Sequence, residues 1–160
     1  AEFSSAACSV SAKTHRFAPK GRKTKIHAAD GQSDQQQLPL RRVKRFLDDG
    51  LSPDRIALIG PAAKERGSLA DVDRIGSIPL TTSVADWRAG AGVLVTTARK
   101  FKGLEADAVV MYDLGALGAA FSEADLYVAL TRAVYWLELV VTDSDMRARL
   151  RAAVDEGDLA

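Results

Sequence analysis

The sequence predicts an α/β fold: a three-layer sandwich on a mostly parallel sheet. Two observations lead there. Short, continuous apolar runs recur along the chain, at Ile56-Ala57-Leu58-Ile59, Gly92-Val93-Leu94-Val95-Thr96, Ala108-Val109-Val110-Met111-Tyr112 and Trp136-Leu137-Glu138-Leu139-Val140-Val141. Such runs, bounded by turn residues, suit strands buried on both faces of a parallel sheet. Segments with helical patterning separate them, and strands alternating with helices imply crossovers that cover the sheet on both sides.

In chain order, residues 1–22 are rich in Ala, Ser, Lys and Arg. They carry too few large apolar groups to offset ordering entropy, so they read as a flexible tail. Ala1-Glu2-Phe3 lacks a methionine and reads as a cloning remnant. The chain is accordingly expected to be a piece of a longer protein, with one folded domain over residues 23–160. A short strand is expected over 23–28, then a polar stretch through Gln37. A helix over Leu40–Asp49 follows from the spacing of Leu40, Val43, Phe46 and Leu47, with Gly50 placed to cap its C-terminus. Ser52-Pro53-Asp54 is a turn into the first apolar run. Between Gly60 and Trp87 the expectations are a short helix over Leu69–Ile75 capped by Ser68, a brief edge strand at Ile78-Pro79-Leu80, and Trp87 in a loop. Helices over Glu123–Ala133 and Ser144–Glu156 complete the pattern.

Composition narrows the function classes. The chain has 160 residues, 47% hydrophobic and 27% charged, which suits one globular domain. A net charge of +1 argues against a uniformly basic nucleic-acid binder, but cations are clustered. Six Lys/Arg and no acid lie between Lys13 and Lys25, and Arg41, Arg42, Lys44 and Arg45 form a second group. Local basic faces are therefore compatible with overall neutrality. Cys8 is the only cysteine, so no disulfide forms within the chain and no cysteine cluster binds metal. That fits a reducing, cytoplasmic compartment. No apolar stretch reaches membrane-spanning length, and no membrane partner is expected. His15 and His27 are isolated and support neither a metal site nor a nucleophile–base pair. Trp87 and Trp136 read as packing residues rather than base-stacking platforms. The piece is expected to be monomeric.

Two segments hold concentrated chemistry, and both are expected in loops at the carboxyl ends of strands, where open parallel sheets meet ligands. Thr97-Ala98-Arg99-Lys100-Phe101-Lys102-Gly103-Leu104-Glu105 gathers a hydroxyl, three cations, a glycine and a carboxylate. Cations and backbone amides suit phosphates, and a carboxylate suits sugar hydroxyls. On composition alone, such a loop is more often solvated surface than a ligand site. In Leu126-Tyr127-Val128-Ala129-Leu130-Thr131-Arg132-Ala133 a single arginine ends an apolar helix. It needs an anion, either a structural carboxylate or a bound phosphate.

Taken in order, these segments resemble motifs V and VI of UvrD/Rep-like superfamily 1 helicases. Phe101-Lys102-Gly103-Leu104-Glu105 is similar to the motif V form of the branch with compact second lobes, and Tyr127-Val128-Ala129-Leu130-Thr131-Arg132-Ala133 is similar to motif VI. Phe46 through Ile59 resembles the helix and strand that open the same lobe, so the likeness covers roughly residues 23–143. The resemblance implies a C-terminal, RecA-like lobe of the P-loop NTPase type that lacks the P-loop itself. It implies that Arg132 reaches the γ-phosphate of ATP, that Glu105 binds the ribose, and that Gly103 allows close backbone approach. Tyr127 and Thr131 would support Arg132. Lys102 would lie at the nucleotide, while Thr97, Arg99 and Lys100 would hold single-stranded nucleic acid, DNA before RNA. The implied partner is an N-terminal RecA-like lobe, which would bind most of ATP and its Mg2+. No Gly-x-x-x-x-Gly-Lys-[Ser/Thr] loop occurs in the sequence, nor does an Asp-Glu pair following a strand. The chain alone is therefore expected to be inactive. The alternatives are a non-catalytic helicase-like scaffold and a free-standing nucleotide-binding domain of another kind.

Overall fold

The computed structural model describes residues 23–115, 118 and 121–155. The predicted tail over 1–22 and the expected helical end at Glu156 lie outside them. Seven strands form one sheet: β1 Lys25–Ala28, β2 Ile56–Gly60, β3 Arg74–Ile75, β4 Ile78–Thr81, β5 Val93–Thr97, β6 Ala106–Leu114 and β7 Ala133–Val141. Their order is β1-β7-β6-β2-β5-β4-β3, and every neighbouring pair is parallel except β3 with β4. The helices are α1 Gln32–Asp48, α2 Val84–Arg88, α3 Glu123–Leu130 and α4 Ser144–Asp155, with 3-10 turns at Pro53–Arg55 and Lys64–Arg66.

The apolar runs occupy the central strands, and their side chains alternate between two cores. Ile56, Leu58, Val93, Val95, Ala108, Val110 and Val140 pack toward Val43 and Phe46 of α1. Ala57, Ile59, Leu94, Val109, Met111, Leu139 and Val141 pack toward Leu126 of α3, Leu150 of α4 and Trp87. Both faces of the sheet are therefore covered, which explains why these strands lack polar alternation.

Helix α1 starts eight residues before its expected start at Leu40, at Gln32. The polar Gln-rich stretch shows no apolar period, yet glutamine is a good helix former. Pro39 lies inside the helix and has no N–H to offer the Gln35 carbonyl one turn back. The Ser68 hydroxyl supplies that hydrogen bond, at 3.3 Å. The predicted end is found: Gly50, at φ 102°, donates to the Leu47 carbonyl at 3.1 Å, and Leu51 donates to Phe46 at 3.0 Å. This is a Schellman cap.

The region from Gly60 to Trp87 departs most from expectation. Ser68 does not cap a helix. Its N–H donates to Asp113 Oδ2 at 2.8 Å, and its carbonyl accepts from Gln36 Nε2 at 3.1 Å. With those groups engaged, no helix forms over Leu69–Ile75. Arg74–Ile75 instead pairs with β4 as the outermost strand, so Ile78–Thr81 is not at the edge. Trp87 is also not in a loop. It lies on α2, buried, with Nε1 donating to the carbonyls of Pro53 at 3.1 Å and Ile56 at 3.0 Å. Ala133, expected at a helix end, begins β7.

One buried charge ties the layers together. Glu138 on β7 is 4% exposed. Arg42 of α1 grips its carboxylate through Nε and through a second nitrogen at 2.9 Å, and His27 of β1 approaches at 3.1 Å. Burial pushes the Glu138 carboxyl up, but the hydrogen bonds and charges of His27 and Arg42 outweigh it and hold the group at about 2. Because the folded value lies below the unfolded one, this stabilisation is complete above about pH 4.5 and is lost as the pH falls toward about 2. We expect Glu138→Gln to destabilise the fold at neutral pH by about 3 kcal/mol, leaving the Arg42 charge without its partner. Urea midpoints of wild type and variant should converge as the pH is lowered through this window, and a constant difference would exclude the electrostatic origin.

Candidate functional site

Strand direction divides the candidate residues into two groups. Six strands run the same way, so residues that lead into a strand lie at the amino edge of the sheet and residues that follow one lie at the carboxyl edge. Glu105 immediately precedes β6 and Arg132 immediately precedes β7. The Ala106 N–H donates to the Arg132 carbonyl at 3.1 Å, locking the two strand entrances together. Thr97, by contrast, ends β5, and Arg99 and Lys100 follow it at the opposite edge. The expectation that both segments sit at carboxyl ends therefore holds only for Thr97–Lys100. A helix between parallel strands must return the chain to the starting edge, so the end of motif VI meets the amino edge.

At the amino edge, Arg132 is half-buried. Its Nε donates to the Val128 carbonyl at 3.2 Å, and no carboxylate of the described residues lies within ion-pair distance. The structural ion pair that chemistry alone allowed is absent among the described residues. Thr131 closes the helix, its hydroxyl donating to the same carbonyl at 2.9 Å. Glu105 and Lys102 are exposed and make no side-chain hydrogen bond with a described residue. Gly103 adopts φ 84°, a left-handed conformation that favours glycine, and nothing in the chain lies within 4 Å of where its Cβ would stand. Its role within the chain is thus the turn itself, and no close approach of the chain's own backbone requires it.

At the carboxyl edge, a cavity of about 460 Å3 is lined by Arg66, Thr97, Arg99, Lys100, Phe121 and Asp125, among others. Thr97 Oγ1 accepts the Lys100 N–H at 3.3 Å, which folds the loop back and leaves the hydroxyl hydrogen available. Arg99 is committed elsewhere. It forms a two-nitrogen pair with Asp125 of α3, both contacts at 3.1 Å. Asp125 also completes the capping box of α3, accepting the Ser122 N–H at 3.0 Å while its own N–H donates to Ser122 Oγ. The Arg99 hydrogen bonds, then the Ser122 amide, hold the Asp125 carboxyl down at about 2. Of the cations lining this cavity, Lys100 and Arg66 have no carboxylate partner among the described residues. Arg66 lies in a segment where sequence patterning carried no signal.

Helix α3 connects the two edges. Its first turn is pinned to the Thr97–Lys100 loop through Arg99–Asp125, and Arg132 follows its last turn. Two of the four cations of the second group are engaged by acids: Arg42 binds Glu138, and Lys44 binds Asp48 at 2.8 Å. Lys25, Arg45 and Trp136 line a further cavity of about 450 Å3 beside them. Among the described residues no group of side chains could hold a metal ion, and no helix is long and apolar enough to cross a membrane.

No protein-family model and no curated protein matches this sequence. Among solved structures, the chain is similar to the C-terminal domain of a possible DNA helicase from Lactobacillus plantarum WCFS1. The TM-score is 0.65 at 21% identity, over 88% of this chain and 89% of that one. The fold is RecA-like. At this identity the likeness is one of architecture, and the individual side chains stand on the geometry above.

Magnitudes separate the two roles of Asp125. Arg99 is 67% exposed on its side chain, so its pair is a solvated one. Arg99→Ala should change stability by less than about 1 kcal/mol. Asp125→Ala also removes half of the capping box and should cost about 1 to 2 kcal/mol. Thermal unfolding of both variants checks this, and equal losses would contradict it.

Proposed function

We propose that this chain is the second RecA-like lobe of an ATP-dependent helicase or translocase that moves on single-stranded nucleic acid. The observation that carries this reading is the spanning of the sheet by α3, with Arg132 unpaired with any carboxylate of the described residues at one end and the Thr97–Lys100 loop at the other. An arginine hydrogen-bonded at a helix end, half-buried and without an anionic partner among the described residues, fits a phosphate supplied from outside the chain. Arg132 would meet the γ-phosphate of ATP and stabilise charge that develops on the transferred phosphoryl group. Glu105, exposed beside it, would accept a hydrogen bond from the ribose, with Lys102 near the phosphates. The residues that grip the remaining phosphates and Mg2+ would come from an N-terminal RecA-like lobe, since this sequence contains neither a phosphate loop nor an Asp-Glu pair after a strand.

Nucleic acid would follow the carboxyl edge, where Lys100, Arg66 and the Thr97 hydroxyl suit a phosphate backbone. The similar domain belongs to a possible DNA helicase, which favours DNA. Closing of the two lobes around ATP would then move the strand along that edge. Arg99, engaged with Asp125, is better placed to relay contact at the strand side to α3 than to bind phosphate itself.

In the intact protein, Arg132→Ala should lower ATP turnover at least a thousandfold while nucleotide binding persists, as removal of an arginine finger does. Near-normal steady-state turnover would refute the assignment. Lys100→Ala should weaken binding of single-stranded DNA uniformly across sequences and reduce the slope of log affinity against log salt by about 0.7. An unchanged slope would remove Lys100 from the strand path.

A further inference from the structure

Two basic clusters, one ending at Lys25 and one over residues 41–45, are separate in the sequence. The fold brings them together. Arg42 and Arg45 stand three residues apart on α1 and so share a helix face, and Arg42 reaches across to Glu138 of β7. β1 runs beside β7 with Lys25 opposite Glu138. Ile26 packs into the core on the α3 side, so Lys25 and His27 share the other side, where His27 also meets Glu138. Lys23, Lys25, Arg42 and Arg45 consequently line one cavity of about 450 Å3 between α1 and the entrance of β7.

Two features of this cavity point to a ligand. Its lining carries four cations against two carboxylates, Asp49 and Glu138. Arg42 is engaged by Glu138 and Lys23 by Asp155, the latter at 3.9 Å. Lys25 and Arg45 are exposed and have no carboxylate partner among the described residues. Like charges gathered at a concave surface raise the local potential and draw in anions. The second feature is aromatic. Trp136 and Phe46 line the same cavity, and the half-buried Trp136 ring meets Phe46 at 6.0 Å and Tyr135 at 5.5 Å. Trp136 thereby forms part of a wall, whereas Trp87 is enclosed in the core. Cations beside an aromatic wall match the two halves of a nucleotide, because every base has a face that packs on an aromatic ring. An acidic peptide would use the cations alone. The size also suits a small ligand, for which sites run from about 300 to 1,000 Å3. The cavity lies on the α1 side of the sheet, while Arg132 is tied to α3 on the other.

We propose that this cavity is a second site for a nucleotide unit, with Lys25 and Arg45 on the phosphate and the base packed against Trp136. The unit comes from a free mononucleotide or from a nucleic-acid strand, and the recognition chemistry is the same for both. The site does not rest on the roles given to Arg132 and Lys100.

Indole emission of the full chain, titrated with adenosine monophosphate and with a short oligo-dA strand, tests this. Trp136 should report the binding, so Trp136→Phe should remove the response. A response to the mononucleotide identifies a free nucleotide as occupant, and a response to the oligonucleotide alone identifies a strand; either supports the site. Ligands without a base, ribose 5-phosphate and an abasic strand, should compete about tenfold more weakly than their counterparts. Lys25→Ala combined with Arg45→Ala should weaken binding about tenfold. Both side chains are exposed, so the urea midpoint should not move. The charge-conserving pair Lys25→Arg with Arg45→Lys should retain binding, which keeps the test decisive if the alanine variant folds poorly. The site is overturned by no response to either ligand or by a response that survives loss of both cations. Equal competition by base-free ligands, or by oligoglutamate, overturns it as well.

Discussion

The organisation of this molecule follows from the common direction of six of its seven strands. Parallel strands require a crossover for each connection, and each crossover separates the residues that leave one strand from those that enter the next. The segment Thr97–Glu105 is a crossover too short to hold a long helix, and its two ends lie on opposite edges. That one constraint separates Thr97 and Lys100 from Glu105, although only a few residues lie between them. The same constraint brings Glu105 beside Arg132, which is distant in sequence, because β6 and β7 are neighbours whose entrances share a hydrogen bond from Ala106 to Arg132.

Acids within the chain decide which cations remain available to ligands. Asp125 engages Arg99, Glu138 engages Arg42, Asp107 engages Arg55, and Asp48 engages Lys44. These pairs differ in consequence. Glu138 is buried and joins β7 to α1 and β1, whereas the Arg99 and Lys44 pairs are solvated and add little stability. The Arg99 pair links the loop after β5 to α3, so its contribution is one of position. Arg132, Lys100 and Arg66 have no carboxylate partner among the described residues, so their charge is left uncompensated by those residues.

Much of the sheet was legible because burial on both faces produces continuous apolar runs, and all four became central or near-central strands. The Gly50 cap was legible for a local reason, since a left-handed residue after an apolar helical stripe is a short-range signal. The stretch from Ser68 to Trp87 was not. Ser68 answers to Gln35, Gln36 and Asp113, residues far from it in sequence, and Trp87 is placed by carbonyls of Pro53 and Ile56. Hydrogen bonds of this kind leave no periodicity to read. The start of α1 was missed for the opposite reason: glutamines satisfy a helix without advertising a buried face.

By itself, the sequence determined the α/β class, the four buried runs and the concentration of chemistry at Thr97–Glu105 and Leu126–Ala133, because burial and helical spacing are written locally. Only the tertiary structure decided which edge each of those residues occupies, that Arg99 is paired with a carboxylate of the described residues while Arg132 is not, and that a bulge brings Asp113 to the Ser68 amide. Those outcomes depend on strand order, on register and on partners remote along the chain. The physical reason is that periodicity reports how a segment faces the core, whereas ion pairing, bulges and shared edges report where separate segments meet.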